Sequence, residues 1–366
     1  MDDIRYWIWL TNLPGIGSVK LKRIIDVFHS AEAVWKASKS DIESTGLFNK
    51  QDIANLMNKD LDTAYRILKK SKMLGIDIIN INDERYPSRL KQIYDPPGVL
   101  YVKGKLRRYE SIAVAVVGSR NASPYGKNIA ESLSFQLAQR GIMIVSGAAR
   151  GIDACAHKGA LKAGGQTIAV LGCGIDIDYP PENAELIDYI KKFGAVISEY
   201  PPGTQPIPGY FPARNRIISG LSCGVLVVEA GKKSGSLITA DLALEQGRDV
   251  FAVPGNIDRL FSKGTNNLIR QGAKLVTCVE DILEELPINY EGFSHNNNDL
   301  TDVQPAEIEI PEEEKDVLKH LSSEPVHIDE LCRKSGISIN KISAILILLE
   351  MKGMIRQMPG KYFVRI

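Results

Sequence analysis

The sequence predicts an α/β fold: a parallel, doubly wound sheet preceded by a helical module and followed by a winged helix. Three observations carry that expectation. From residue 112 to 286 short β-branched runs alternate with helical stretches, the mark of buried strands joined by crossover helices. Before residue 75 apolar residues recur at helical spacing instead. After residue 311 three helical patterns lead into a hairpin.

Taken in order, residues 1–75 read as helices, with Trp7, Leu10, Leu21, Ile24, Ile25 and Phe28 on the apolar faces. Leu13-Pro14-Gly15-Ile16-Gly17 breaks the run, as the turn of helix-hairpin-helix and SAM-like modules does. Such a turn either cradles a phosphate on its amides or is simply a tight turn in a helical bundle. Residues 76–111 connect, with short strands at Ile76–Ile79 and Val99–Val102 and turns at Tyr86-Pro87 and Asp95–Gly98. In 112–286 the expected strands are Ile112–Val117, Ile142–Val145, Thr167–Leu171, Ala195–Ser198, Gly224–Glu229 and Val250–Val253. The helices between them are Gly126–Arg140, Asp153–Ala163, Glu182–Lys191, Arg214–Leu221 and Leu237–Gln246. Residues 287–311 are polar and acidic and read as a flexible linker. Helices Glu312–Leu321, Ile328–Ser335 and Ile339–Lys352, with a hairpin over Met354–Ile366, complete the winged helix in 312–366.

Composition narrows the function. The formal net charge of +1 projects no strong field, so contact with nucleic acid has to come from a local patch. Cys155, Cys173, Cys223, Cys278 and Cys332 form no CxxC pair, which argues against zinc or disulfides and for buried thiols in a reducing cytosol. No apolar run is long enough to span a bilayer, and Met1-Asp2-Asp3 lacks the basic start of a signal peptide. The expected setting is therefore cytoplasmic, without membrane, metal or cofactor.

The chemistry lies in five strand-end loops. These are Gly118-Ser119-Arg120, Ser146-Gly147-Ala148-Ala149-Arg150-Gly151-Ile152-Asp153, Gly172-Cys173-Gly174-Ile175-Asp176, Ser198–Gly203 leading into Tyr210–Arg216, and Lys232–Thr239 with Ser234-Gly235-Ser236 at its centre. Glycines bring amides close to an anion, helix N-termini add positive charge, and arginines add bidentate contacts. Together they predict a phosphate-binding rim. In Tyr210-Phe211-Pro212-Ala213-Arg214-Asn215-Arg216, aromatic rings beside two arginines and an amide suit a base stacked on a ring with its backbone clamped. Phe211 either stacks a base or packs in the core, and Arg214 or Arg216 is expected to face solvent. His157, the only histidine in 112–286, is expected to pack or hydrogen-bond beside Asp153. There is no GxxxxGK[ST] and no GxGxxG at Gly118, which argues against ATP hydrolysis and a dinucleotide redox site.

These stretches resemble the DNA-processing protein A (DprA/Smf) family. The matching residues are Val117–Arg120 with Ser123 and Tyr125-Gly126, Ser146–Asp153 with Ala156-His157, Phe211-Pro212 through Ile218, Ser234–Ala240, and Gly247-Arg248 through Gly255. The resemblance implies an extended Rossmann-like domain that dimerises, binds single-stranded DNA and helps load RecA onto incoming strands in natural transformation and recombination. It places Arg120, Phe211, Arg214, Asn215 and Arg216 along the DNA pocket, closed by Ser234, Gly235 and Ser236; the phosphate rim read from the loops adds Gly118, Ser119, Ser146, Gly147 and Arg150 to the expected DNA contacts.

Alternatives remain. A nucleotide phosphoribohydrolase of similar fold would need a PGGxGTxxE loop, and Ser234–Thr239 has no glutamate after a Gly-Thr pair. A Rossmann-like nucleotide-binding protein without that activity would leave the aromatic–arginine segment little to do. A transcription regulator would read duplex with the helix Ile339–Lys352, but Ile342, Ala344, Ile345, Leu346, Ile347, Leu348 and Leu349 offer no base-reading groups. The tail therefore reads as a protein-contact or weak duplex-binding accessory.

Overall fold

The computed structural model describes residues 3–106, 112–287 and 311–365, apart from 323, 352, 353 and 359. The linker expected at 287–311 falls almost wholly on 288–310, outside the described residues.

Nine strands form one sheet. In chain order they are β1 (Asp77–Asn80), β2 (Val99–Gly104), β3 (Ala113–Val117), β4 (Met143–Ser146), β5 (Thr167–Leu171), β6 (Ala195–Ser198), β7 (Gly224–Val227), β8 (Asp249–Ala252) and β9 (Lys274–Leu275). Their spatial order is β1-β2-β6-β5-β4-β3-β7-β8-β9. From β6 to β9 all neighbours are parallel, while β2 runs antiparallel to both β6 and β1. Every residue of β3 to β7 is buried, as helices on both faces require. The residues expected only to connect, 76–104, thus extend the sheet at its antiparallel edge. Tyr86 locks the turn there, its hydroxyl donating to the Pro97 carbonyl at 2.7 Å.

Six short helices occupy Ile4 to Met73, and their apolar faces share one core with the sheet. Trp7, Leu10, Leu21 and Ile24 are at most 2% exposed and belong to the same packed cluster as Leu100, Val170 and Ile217. The glycine turn resolves toward the plain tight turn. Gly15 sits at φ +80°, and a Cβ there would meet Asp52 Oδ1 at 2.7 Å. A carboxylate at that distance, itself bonded by Lys20 Nζ, opposes a phosphate at the turn.

The C-terminal unit has helices Glu312–Lys319, Ile328–Ser335 and Ile339–Met351, and strands β10 (Val326–His327), β11 (Ile355–Met358) and β12 (Tyr362–Arg365) in the order β10-β12-β11. Val317, Leu331, Ile342, Leu346, Leu349 and Phe363 form its own core, and Ile339 and Leu348 stay exposed on the third helix. Among the described residues no helix is long and apolar enough to cross a membrane. Of the cysteines, Cys173 and Cys223 are buried as expected, but Cys278 is exposed because it lies in the loop entering the helix Glu280–Leu283.

Candidate nucleic-acid interface

The parallel strands run outward in two directions from the β3–β7 pair, which is where such sheets open a crevice at their carboxyl ends. A cavity of about 500 Å³ fills that crevice. Gly118, Ser119 and Arg120 line it from the end of β3, and Ser234, Gly235 and Ser236 from the loop after β7. The third wall is the helix Tyr210–Leu221, through Phe211, Arg214 and Asn215. That helix begins four residues before the expected Arg214, so Phe211 lies in its first turn. Pro212 is tolerated there because the first helical amides need no partner within the helix.

Phe211 is half-buried and presents its ring to the crevice. Tyr179 packs tilted against it at 5.3 Å between ring centres, and the exposed Arg120 holds its Cζ 5.5 Å from the ring centre. Gly172 makes the placement possible, since a Cβ there would approach the ring to 2.9 Å. Arg120 and Phe211 also border a smaller neighbouring hollow with Gly147, Arg150 and Cys173. A cation beside a partly exposed ring, next to a helix N-terminus, can clamp a phosphate while a base stacks.

Both arginines of the helix turn inward, which corrects the expectation that one faces solvent. Arg214 is 4% exposed and Arg216 7%. Arg214 Nη1 donates to the Gly147 carbonyl at 2.9 Å and to the Val170 carbonyl, satisfying groups at the ends of β4 and β5. Burial pulls its pKa down to about 10, with Asp153 opposing the shift. It lines the floor of the crevice rather than its mouth. Arg216 leaves the crevice altogether: Nε donates to Asp95 at 3.0 Å, and Nη2 to Glu199 at 2.6 Å and to Ser18 at 3.0 Å. Burial raises the Glu199 carboxyl, and the adjacent Arg216, with a smaller contribution from the Tyr200 hydroxyl, opposes that shift. A buried carboxylate needs such a cation, and this demand outweighs any DNA-facing role for Arg216.

The phosphate rim also contracts. Ser146 is fully buried, its hydroxyl donating to the Val116 carbonyl at 2.7 Å. The Gly147 and Ala149 amides donate to Asp153 Oδ2 at 3.2 and 3.4 Å, so an internal carboxylate occupies the place expected for a phosphate. Gly174 N is likewise taken by the Thr204 carbonyl at 2.8 Å. Arg150 is exposed and paired with Glu182 at 2.5 Å. By contrast, Gly235 opens the helix Gly235–Glu245 on the crevice and is exposed, while Ser234 Oγ caps Ser236 N at 3.4 Å. Asn215 bridges the two walls, donating from Nδ2 to the Gly235 carbonyl at 3.3 Å.

His157 is fully buried, as expected, with Nδ1 2.7 Å from Thr167 Oγ1. Thr167 spends its own proton on the Ile144 carbonyl, so Nδ1 carries the hydrogen and Nε2 keeps an unpaired lone pair. Burial, followed by the nearby Arg214 charge, lowers the imidazole to about 3. Tyr179 and Asn183 were not among the expected site residues. Tyr179-Pro180-Pro181 marks a rigid turn just after the third loop, and that was the available signal.

A family model described as DNA recombination-mediator protein A matches residues 77–287, and one described as the DprA winged helix domain matches 302–361. Protein Smf of Escherichia coli K12 is 38% identical over 99% of this chain and 96% of its own length. Protein Smf of Synechocystis is 35% identical, with 98% of each chain covered. Among solved structures, DNA processing protein A of Streptococcus pneumoniae superposes with a TM-score of 0.70 and 38% identity, covering 79% of this chain and 100% of that one. The Helicobacter pylori protein, solved to describe its single-stranded DNA binding mode, has a TM-score of 0.51 and 32% identity, covering 57% of this chain and 94% of that one. By sequence along its whole length and by fold in its sheet, the chain belongs to the DNA processing protein A (DprA/Smf) family.

Proposed function

We propose that this protein binds single-stranded DNA in the crevice at the β3–β7 switch point, with no chemistry of its own. In this reading it protects incoming strands and helps load RecA during natural transformation and recombination, in the cytoplasm and as a homodimer. One observation carries it above the others: an exposed guanidinium, Arg120, stands beside the half-buried Phe211 ring at the mouth of the cavity. Ring and cation together hold a strand without choosing its sequence. Ser234, Gly235 and Ser236 supply the helix end for a phosphate, and Asn215 ties that end to the aromatic helix.

An enzymatic reading fares worse. Among the described residues the only carboxylate lining the cavity is Asp153, and it is committed to two loop amides and buried beside Arg214. None of the described residues lining that cavity is a histidine, cysteine or glutamate, so nucleotide hydrolysis finds no acid–base pair among them. The winged helix, with Ile339 and Leu348 exposed on its third helix, suits protein contact better than duplex reading.

Fluorescence anisotropy with labelled oligo-dT and a matched duplex, without ATP and at two salt concentrations, tests the proposal. Tight, salt-sensitive preference for the single strand is expected. Preference for duplex, or no binding to either, contradicts it.

A further inference from the structure

The loop between β4 and the helix Ile152–Lys162 is held in a costly conformation. Ala148 stands at φ +52°, the left-handed region that a side chain disfavours, and it is fully buried. The loop's polar groups are pinned from three sides. Asp153 takes the Gly147 and Ala149 amides, and Arg214 takes the Gly147 carbonyl. Asn183 takes the next two carbonyls, donating from Nδ2 to Ala148 O at 2.9 Å and to Ala149 O at 3.1 Å.

Asn183 comes from a separate element, the turn Pro181–Asn183 that leads into the helix Ala184–Phe193. Neither Asn183 nor its neighbour Glu182 lines the main cavity, yet the loop they grip delivers Ala149 to both hollows and Arg150 to the smaller one. Glu182 holds the Arg150 guanidinium itself, with both side chains more than half exposed. A phosphate arriving at Arg150 therefore meets a carboxylate competing for the same cation.

We propose that the Pro181–Asn183 turn positions the strand-binding loop: Asn183 fixes its backbone, and Glu182 holds Arg150 until a phosphate replaces it. This rests on the crevice being the strand site. Asn183 is a positioning residue, acting through Ala148, Ala149 and Arg150.

The test uses oligo-dT anisotropy on the full chain, with Arg120→Ala as the control for the site itself. Asn183→Ala is expected to weaken binding about fivefold, the effect of one or two lost hydrogen bonds, while the chain still unfolds cooperatively. Adding Ala148→Gly is expected to bring affinity back to within about twofold of wild type, because glycine adopts the left-handed conformation without a brace. Glu182→Gln, an exposed substitution that leaves the fold intact, is expected to tighten binding about two- to threefold at low salt, with the gain shrinking as salt screens it. Wild-type affinity in Asn183→Ala, with Arg120→Ala still defective, overturns the positioning role and leaves the strand site standing. A loss in Asn183→Ala that Ala148→Gly does not recover also overturns it. Unchanged or weaker binding in Glu182→Gln refutes the competition at Arg150. If the wild-type chain itself ignores oligo-dT, the reading of the crevice falls first.

Discussion

Arg120 and Arg214 share one cavity but should fail in opposite ways when each is replaced by alanine. Arg214 is 4% exposed, and its loss strips the Gly147 and Val170 carbonyls of a donor and leaves Asp153 without its neighbouring cation. An unsatisfied buried carbonyl costs about 1–3 kcal/mol. A buried charge deprived of its partner costs about 3–5 kcal/mol, part of which Asp153 escapes by taking up a proton. Arg214→Ala should therefore lose about 3–5 kcal/mol of stability, with any binding defect following from the disordered loop. Arg120 is exposed, so Arg120→Ala should leave stability within about 0.5 kcal/mol. It should weaken strand binding by about 1–3 kcal/mol, roughly 5- to 150-fold. Urea unfolding followed by circular dichroism, paired with oligo-dT anisotropy, separates the two. Arg214→Ala keeping its stability while losing affinity, or Arg120→Ala binding normally, would contradict these two roles.

Other consequences can be checked alongside. Phe211→Ala should cost about 1–3 kcal/mol of strand affinity and Phe211→Trp little, measured by the same titration; equal losses in both would mean the ring only fills space. Two phosphate contacts, at Arg120 and Arg150, predict a log–log salt slope of about −1.4, and a flat slope would remove both from the interface. Gly147→Ala drives a Cβ to 2.5 Å from Arg214 Nη2 and 2.7 Å from Asp153 Oδ2, so it should destabilise by about 1–3 kcal/mol in urea. His157 titrates at about 3 when folded against an ordinary 6.5, so below pH 6.5 the unfolded chain binds a proton that the native one refuses. Its stability contribution is complete above about pH 6.5 and falls toward pH 3, by at most about 1.4 kcal/mol per pH unit. His157→Gln should flatten that acid loss, and parallel wild-type and variant curves would contradict it.

The sheet was legible because its strands are short apolar runs flanked by glycines, and Thr167–Leu171 and Ala195–Ser198 fall where the pattern puts them. β9 escaped notice because two residues, Lys274 and Leu275, carry no period. The site was legible as a set of loops but not as a set of side-chain directions. Helical spacing places Arg214 beside Ile217 and Ile218 on the buried face, but charge argued for solvent. What turned it inward was the demand of strand-end carbonyls and a buried aspartate, and those partners lie 44 to 67 residues away along the chain. Ser146 and the Gly147 and Ala149 amides misled for a related reason. A glycine-rich loop that cradles an anion and one that cradles its own carboxylate read alike until Asp153 is seen folded back on it. Asn183 was invisible because a lone asparagine in a Pro-Pro-Glu-Asn turn carries no motif.

If strands bind in the crevice, photocrosslinking can locate the contacts. Oligonucleotides carrying photoreactive 5-bromodeoxyuridine, irradiated on the full chain and analysed by peptide mass spectrometry, report which rings touch bases. Adducts are expected on Phe211 and Tyr179, abolished by excess unlabelled single strand and reduced in Arg120→Ala. Adducts confined to the winged helix, with none in the residues of the crevice, would contradict binding there.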